Sequence, residues 1–134
     1  MLGELIGELQ GQTTGTRVVE VADGAPVVEV SFQGTGTFLD TATTELGTYT
    51  ALARPDGTLF GDGQGMSTTA DGDVVSWHGS GLGRMTGPGA TSFRGAIFYS
   101  TASTRFAELN GVVGVFEFDT DESGKCVGTI YEWK

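Results

Sequence analysis

The stretch Val74-Val75-Ser76-Trp77-His78-Gly79-Ser80-Gly81-Leu82-Gly83-Arg84-Met85-Thr86 decides how the rest of the chain is read. Side chains alternate across a β-strand, so Val75, Trp77, Gly79, Gly81, Gly83 and Met85 share one face. Ser76, His78, Ser80 and Arg84 share the other. An apolar face backed by a polar one is the pattern of a half-buried antiparallel strand. The glycines lie on the apolar face and therefore point inward. The same ladder recurs in Gly34-Thr35-Gly36 and in Gly61-Asp62-Gly63-Gln64-Gly65. In the strand around Gly34 the glycine face also carries Val28, Val30, Phe32 and Phe38. Two physical reasons compete for these glycines. Sharply coiled strands in a small barrel need them for curvature. An inward stripe without side chains also leaves room for a ligand or for large aromatics from opposite strands.

Outward from this strand, extended runs alternate with turn signals along the whole chain. The turns are Asp23-Gly24-Ala25-Pro26, Arg54-Pro55-Asp56-Gly57, Ala70-Asp71-Gly72-Asp73, Thr86-Gly87-Pro88-Gly89 and Glu122-Ser123-Gly124-Lys125. Asp-Gly and Pro-Asp-Gly supply the backbone angles that tight turns require. Between them the pattern predicts strands at 2–12, 16–22, 27–39, 44–53, 58–69, 74–86, 91–101, 111–119 and 125–133. Short turns join neighbours antiparallel, and a meander can close on itself to remove its edges. The fold class is all-β: a small antiparallel meander barrel of eight or nine strands. One segment departs from alternation. In 102–110, Ala102, Phe106 and Leu109 fall at helical spacing, Ser103 can cap the start, and Asn110-Gly111 can end it. This predicts a short helical insert that plugs one end of the barrel. The 134 residues form a single domain, 1–134.

Composition narrows the function classes. With 17 Asp and Glu against 7 Lys and Arg, the net charge is −10. Such a surface repels a phosphate backbone and an anionic membrane, so neither nucleic acid nor membrane is expected as a partner. No run approaches the ~20 apolar residues of a membrane helix, and the N-terminus lacks the basic and apolar regions of a signal peptide. A cytoplasmic location is the expectation. The one cysteine, Cys126, lies in a strand-like run and reads as a small core residue. One His and one Cys do not make a zinc site, and Asp71-Gly72-Asp73 and Asp119-Thr120-Asp121-Glu122 lack calcium-loop spacing. No metal and no cofactor are expected. No Gly-x-Ser-x-Gly elbow precedes a helix, and His78 belongs to a solvated face.

The aromatics carry more. Phe32, Phe38, Tyr49, Trp77, Phe93, Phe98, Tyr99, Phe116, Phe118, Tyr131 and Trp133 are spread over several strands. Most fill the core, and a minority can line a pocket. Arg94 stands mid-strand, where it either meets water or is buried against a carboxylate; Glu29, Glu45 and Glu117 are the mid-strand acids available to it, an inward pair is the first site candidate, and the solvated face is the expected home of each. Phe32, Tyr49, Trp77, Arg94, Phe98 and Tyr99 are the candidate ligand-contacting residues. For a catalytic reading, the polar groups inside the cavity are sought among Arg94, Tyr49, Tyr99 and Glu45.

The C-terminal half resembles the allene-oxide-cyclase-like barrel superfamily, which includes the dirigent proteins. Gly79-x-Gly81-x-Gly83-Arg84 and Phe93-Arg94-Gly95-Ala96-Ile97-Phe98-Tyr99 carry the resemblance. After the helical insert, Leu109-Asn110-Gly111-Val112-Val113-Gly114-Val115-Phe116-Glu117 completes it. The resemblance covers about half the chain and is one of pattern. It implies a barrel with a hydrophobic cavity and a homo-oligomer. No catalytic motif of a member can be placed on it residue by residue. Three functions remain open: a barrel that binds a small hydrophobic or aromatic ligand, a cyclase or isomerase working in the same cavity, and a ligand-free oligomeric structural protein. The first is the expectation carried forward.

Overall fold

A computed structural model of the chain describes residues 2–134, with every side chain but that of Ala22. Eight strands follow in order: β1 (Leu2–Ala22), β2 (Ala25–Phe38), β3 (Thr41–Ala53), β4 (Leu59–Thr69), β5 (Val74–Gly87), β6 (Ala90–Ser100), β7 (Val113–Thr120) and β8 (Lys125–Trp133). Each pairs with the next, and β8 returns antiparallel to β1, so the meander closes into a barrel. Among the described residues no helix is long and apolar enough to cross a membrane.

The separate strands expected at 2–12 and 16–22 are one 21-residue strand, β1. The register against β2 shifts between Thr13 and Gly15 and again between Val18 and Glu20. An extra residue at such a bulge bends a strand without reversing it, which is why Thr13-Thr14-Gly15 is no turn. β1 can therefore serve two partners, pairing with β8 over residues 2–12 and with β2 from Gly7 onward. One tight turn carries no Gly or Pro. At Leu39-Asp40 both residues have positive φ, 47° and 61°, as a two-residue hairpin of the mirror-image type requires. Leu39 packs on the core and its N–H donates to the Ile6 carbonyl at 3.1 Å, which fixes the turn.

The helical insert is shorter than expected. A single 3-10 turn, η1, spans Ala107–Gly111 and has no side-chain cap. Ser103 donates instead to Asp73 at 3.0 Å, and the Asn110 side chain accepts from the Thr101 N–H and donates to the Thr101 carbonyl. These bonds hold the segment as a compact loop. Its role is the expected one: Phe106 and Leu109, 1% and 0% exposed, close one end of the barrel over Ile6, Phe38, Val75 and Ile130.

The two explanations of the glycine ladder divide by position. Gly11 faces Gly34 and Gly81 faces Gly95 across paired strands. A Cβ at Gly81 would lie 2.6 Å from the Arg94 carbonyl oxygen; here glycine permits close, coiled backbones. At Gly47 a Cβ would lie 2.5 Å from Phe32 Cζ and 2.8 Å from Trp77 Cζ2. At Gly83 and Gly61 it would lie 2.5 Å and 2.9 Å from the Phe93 ring. These glycines are seats for rings. Most of the room they leave is filled by the protein's own aromatics.

Candidate functional site

The barrel interior is layered. At the plugged end sit Phe38, Tyr99, Ile6 and Ile130, with the Phe38 and Tyr99 rings edge to face at 5.4 Å. Toward the other end an aromatic cluster takes over: Phe32 stacks on Trp77 with centroids 6.4 Å apart and meets Phe118 at 5.2 Å, and Tyr49 meets Phe93 edge-on at 5.7 Å. Between these layers a residual cavity of about 80 Å³ remains. Leu9, Phe32, Trp77, Ile97 and Phe116 give it apolar walls, and Glu45 gives it a carboxyl.

Glu45 reaches the interior by simple alternation. Thr43, Glu45, Gly47 and Tyr49 share the inward face of β3, opposite the outward Thr44 and Leu46. Its residue exposure is 1%. Thr43 Oγ1 donates to Oε2, and Ser67 Oγ, from the facing position on β4, donates to Oε1 at 2.7 Å. Burial pushes the Glu45 pKa up, and the two hydroxyls only partly oppose it. Among the described residues no cation offsets that burial. A carboxylate in such surroundings lowers its free energy by taking a proton. Glu45 thus places a weak acid, held at both oxygens, in the wall of an apolar cavity.

Tyr99 projects inward from β6, beside Trp77 in register. It is 6% exposed, and its hydroxyl is buried with no hydrogen-bond partner among the described residues. Burial raises its pKa, and the charge of Glu45 raises it further. Tyr49 is also pushed up by burial; the Thr120 and Thr91 hydroxyls near its phenol oppose that and Cys126 adds to it. Cys126 is 0% exposed and burial raises its thiol pKa, which keeps it a thiol and a core residue.

The structure brings Phe32, Tyr49 and Trp77 together on the cavity wall. Tyr99 lies inside, in the layer next to the plug. Arg94 and Phe98 do not join them, because Phe93, Ile97 and Tyr99 take the inward positions of β6. Arg94 is opposite Glu117 on β7 and bridges it at 3.0 Å and Asp119 at 3.3 Å, all half exposed on the outer surface. The idea of an inward Arg94 pair is thereby corrected: its acid is Glu117, Glu29 pairs outside with Arg17, and Glu45 stands inside without either. Phe98, 54% exposed, borders an open groove of about 720 Å³ on the outside of β3–β6, along with Leu46, Met66 and His78. That groove is larger but shallow, and it does not surround a small molecule as the interior does. His78 is on the solvated face, as expected. Its Nε2 and the Ser80 hydroxyl both engage Asp62 Oδ1, at 2.9 Å and 2.8 Å, so no hydroxyl is bonded to the imidazole. No group of three or more potential metal ligands occurs among the described residues.

No family model matches the chain, and no curated protein matches it in sequence. Solved structures do match in shape. A Clostridium acetobutylicum ATCC 824 protein of unknown function superposes with a TM-score of 0.84 at 14% identity, covering 98% of each chain. A β-barrel-like protein from Acinetobacter baumannii AYE gives 0.83 at 15% identity, over 100% of this chain and 96% of the other. An enzyme from Penicillium herquei gives 0.68 at 16% identity, over 96% and 92%. At these identities what is shared is the barrel.

Proposed function

We propose that the chain is a receptor barrel for one small, uncharged, mainly apolar molecule, held in the internal cavity against Glu45. The observation that carries this reading is the pairing of an apolar cavity with a single buried carboxyl in its wall. Binding sites of this kind combine apolar walls with a few placed polar groups. The cavity limits the occupant to about six non-hydrogen atoms. At the efficiencies open to such ligands, dissociation constants of about 0.1–1 mM are expected. Calorimetric titration of the protein with small cyclic compounds tests this. Saturable one-to-one binding that Ile97→Phe abolishes supports it, since the larger side chain fills the cavity. Absence of binding, or binding unchanged in Ile97→Phe, contradicts it.

A cyclase or isomerase role is the second reading, and the same carboxyl favours it. A buried acid with a raised pKa holds its proton more tightly than an exposed one and is suited to deliver and recover it inside the cavity. The resemblance to allene-oxide-cyclase-like barrels and the shape shared with the Penicillium herquei enzyme point the same way. Exchange of carbon-bound protons of a bound compound into D2O, lost in Glu45→Gln, favours this reading. Binding without exchange favours the receptor.

A further inference from the structure

The barrel closes along only part of β1. β8 begins at Lys125, opposite Gln12, and in the turn before it the Gly124 carbonyl accepts from the Thr13 N–H at 2.8 Å. Beyond Thr13, β1 has β2 on one side and, among the described residues, no strand on the other. Its neighbour β2 is flanked on both sides, by β1 and β3. Residues 14–21 are therefore a bare edge on an otherwise closed barrel. Every residue of that edge is exposed, Val18, Val19 and Val21 included. A bare edge offers unpaired N–H and C=O groups to a further strand, and proteins commonly guard one with Lys or Pro. Neither occurs between Thr14 and Val21.

The edge carries its own complement. The register shift between Val18 and Glu20 makes Val19 an extra residue, so Arg17 and Glu20, three positions apart, share a face. Arg17 stands opposite Glu29 and Glu20 opposite Val27, on the face of β2 away from Phe32. Thr16, Val18 and Val21 stand opposite Val30, Val28 and Pro26, on the other face. Two antiparallel edges related by a twofold axis pair residues that share a face. With the axis at Val18, Arg17 of each copy meets Glu20 of the other, and Thr16 of each meets Val21 of the other. Arg17 bridges Glu29 at 2.9 Å yet keeps 72% of its side chain exposed, and Glu20 has no ion-pair partner among the described residues. We propose that β1 pairs with β1 of a second copy of this chain over residues 16–21, forming a twofold dimer whose sheet runs from one barrel into the next. Any strand would satisfy the backbone groups. A second copy is selected because one register satisfies the backbone, the charges and the apolar pairs together.

The test is sedimentation velocity on the full chain over a concentration series from about 10 µM to 1 mM, where a monomer–dimer equilibrium is expected. Arg17→Glu sets two acids opposite each other at both ion pairs, and Glu20→Arg sets two bases there. Like charges directly opposite repel, so either variant should weaken dimerisation at least about tenfold. Both positions are exposed, and both variants are expected to fold, with circular dichroism matching the wild type. An equimolar mixture of the two restores every opposite-charge pair and should dimerise again. Neither a folding defect nor an interface elsewhere on the barrel predicts that rescue. A wild type that stays monomeric throughout, a dimer that neither reversal weakens, or a mixture that fails to re-form it overturns the proposal.

Discussion

Gly47→Ala is the sharpest perturbation of the interior. In an ordinary strand, replacing Gly by Ala is neutral or favourable, because the unfolded chain loses freedom. At Gly47 the new methyl would start 2.5 Å from Phe32 Cζ and 2.8 Å from Trp77 Cζ2. Both rings are locked, since they stack on each other and Phe32 is 3% exposed. Overpacking of this kind costs about 1–3 kcal/mol. With an unfolding entropy of about 2.1 cal/mol/K per residue over 134 residues, each kcal/mol moves Tm by about 3.5 °C. The expected loss is therefore about 4–11 °C by differential scanning calorimetry. Gly15→Ala is the control, because nothing lies within 4 Å of its added Cβ; Tm should hold or rise by about 1–3 °C. In a Phe32→Leu background the Gly47→Ala penalty should shrink by at least about 0.5 kcal/mol. A Gly47→Ala protein as stable as wild type, or a penalty unaffected by Phe32→Leu, would refute the claim that these glycines are ring seats.

Three further outcomes are expected. Glu45 has a raised pKa in the fold, so the folded state binds its proton more tightly than the unfolded chain does. The stabilisation is complete below the unfolded value of about 4.3 and is lost as pH rises through the folded value. Urea midpoints should therefore fall with pH above about 4.3 more steeply in wild type than in Glu45→Gln, and parallel profiles would contradict this. Phe106→Ala removes the buried ring that closes the barrel end and should cost about 3–5 kcal/mol in urea unfolding. Arg94→Ala breaks two half-exposed ion pairs and should cost less than about 1 kcal/mol, with ligand affinity unchanged.

Strand alternation made much of this legible in advance. The polarity of residues 74–86 places Trp77 inside and His78 outside, and both are there. The closed meander follows from the turn spacing. The break expected after Gln12 did not occur, because a bulge and a turn draw on the same small residues, and only pairing with β2 and β8 distinguishes them. Leu39-Asp40 lacks Gly and Pro, and of the two only Asp40 is a common turn residue; Leu39 takes its positive φ where its side chain packs on the core. Arg94 and Phe98 could have been placed outside by counting from Phe93, whose ring fills the seat at Gly61 and Gly83. Glu45 was visible in the Thr43-x-Glu45-x-Gly47-x-Tyr49 alternation. That its oxygens are held by Thr43 and Ser67, and that the Tyr99 hydroxyl is left unpaired in the interior, depends on the β3–β4 register and on barrel closure, neither of which a single strand encodes.

The measurement closest to the central claim is a methyl-resolved NMR titration with cyclopentanone. Saturable shifts are expected at Leu9, Ile97 and Ile130, which line the cavity, with Leu46 and Val74 of the outer groove unmoved. Shifts confined to Leu46 and Val74, or no saturable shift at the interior methyls, would contradict a ligand site inside the barrel.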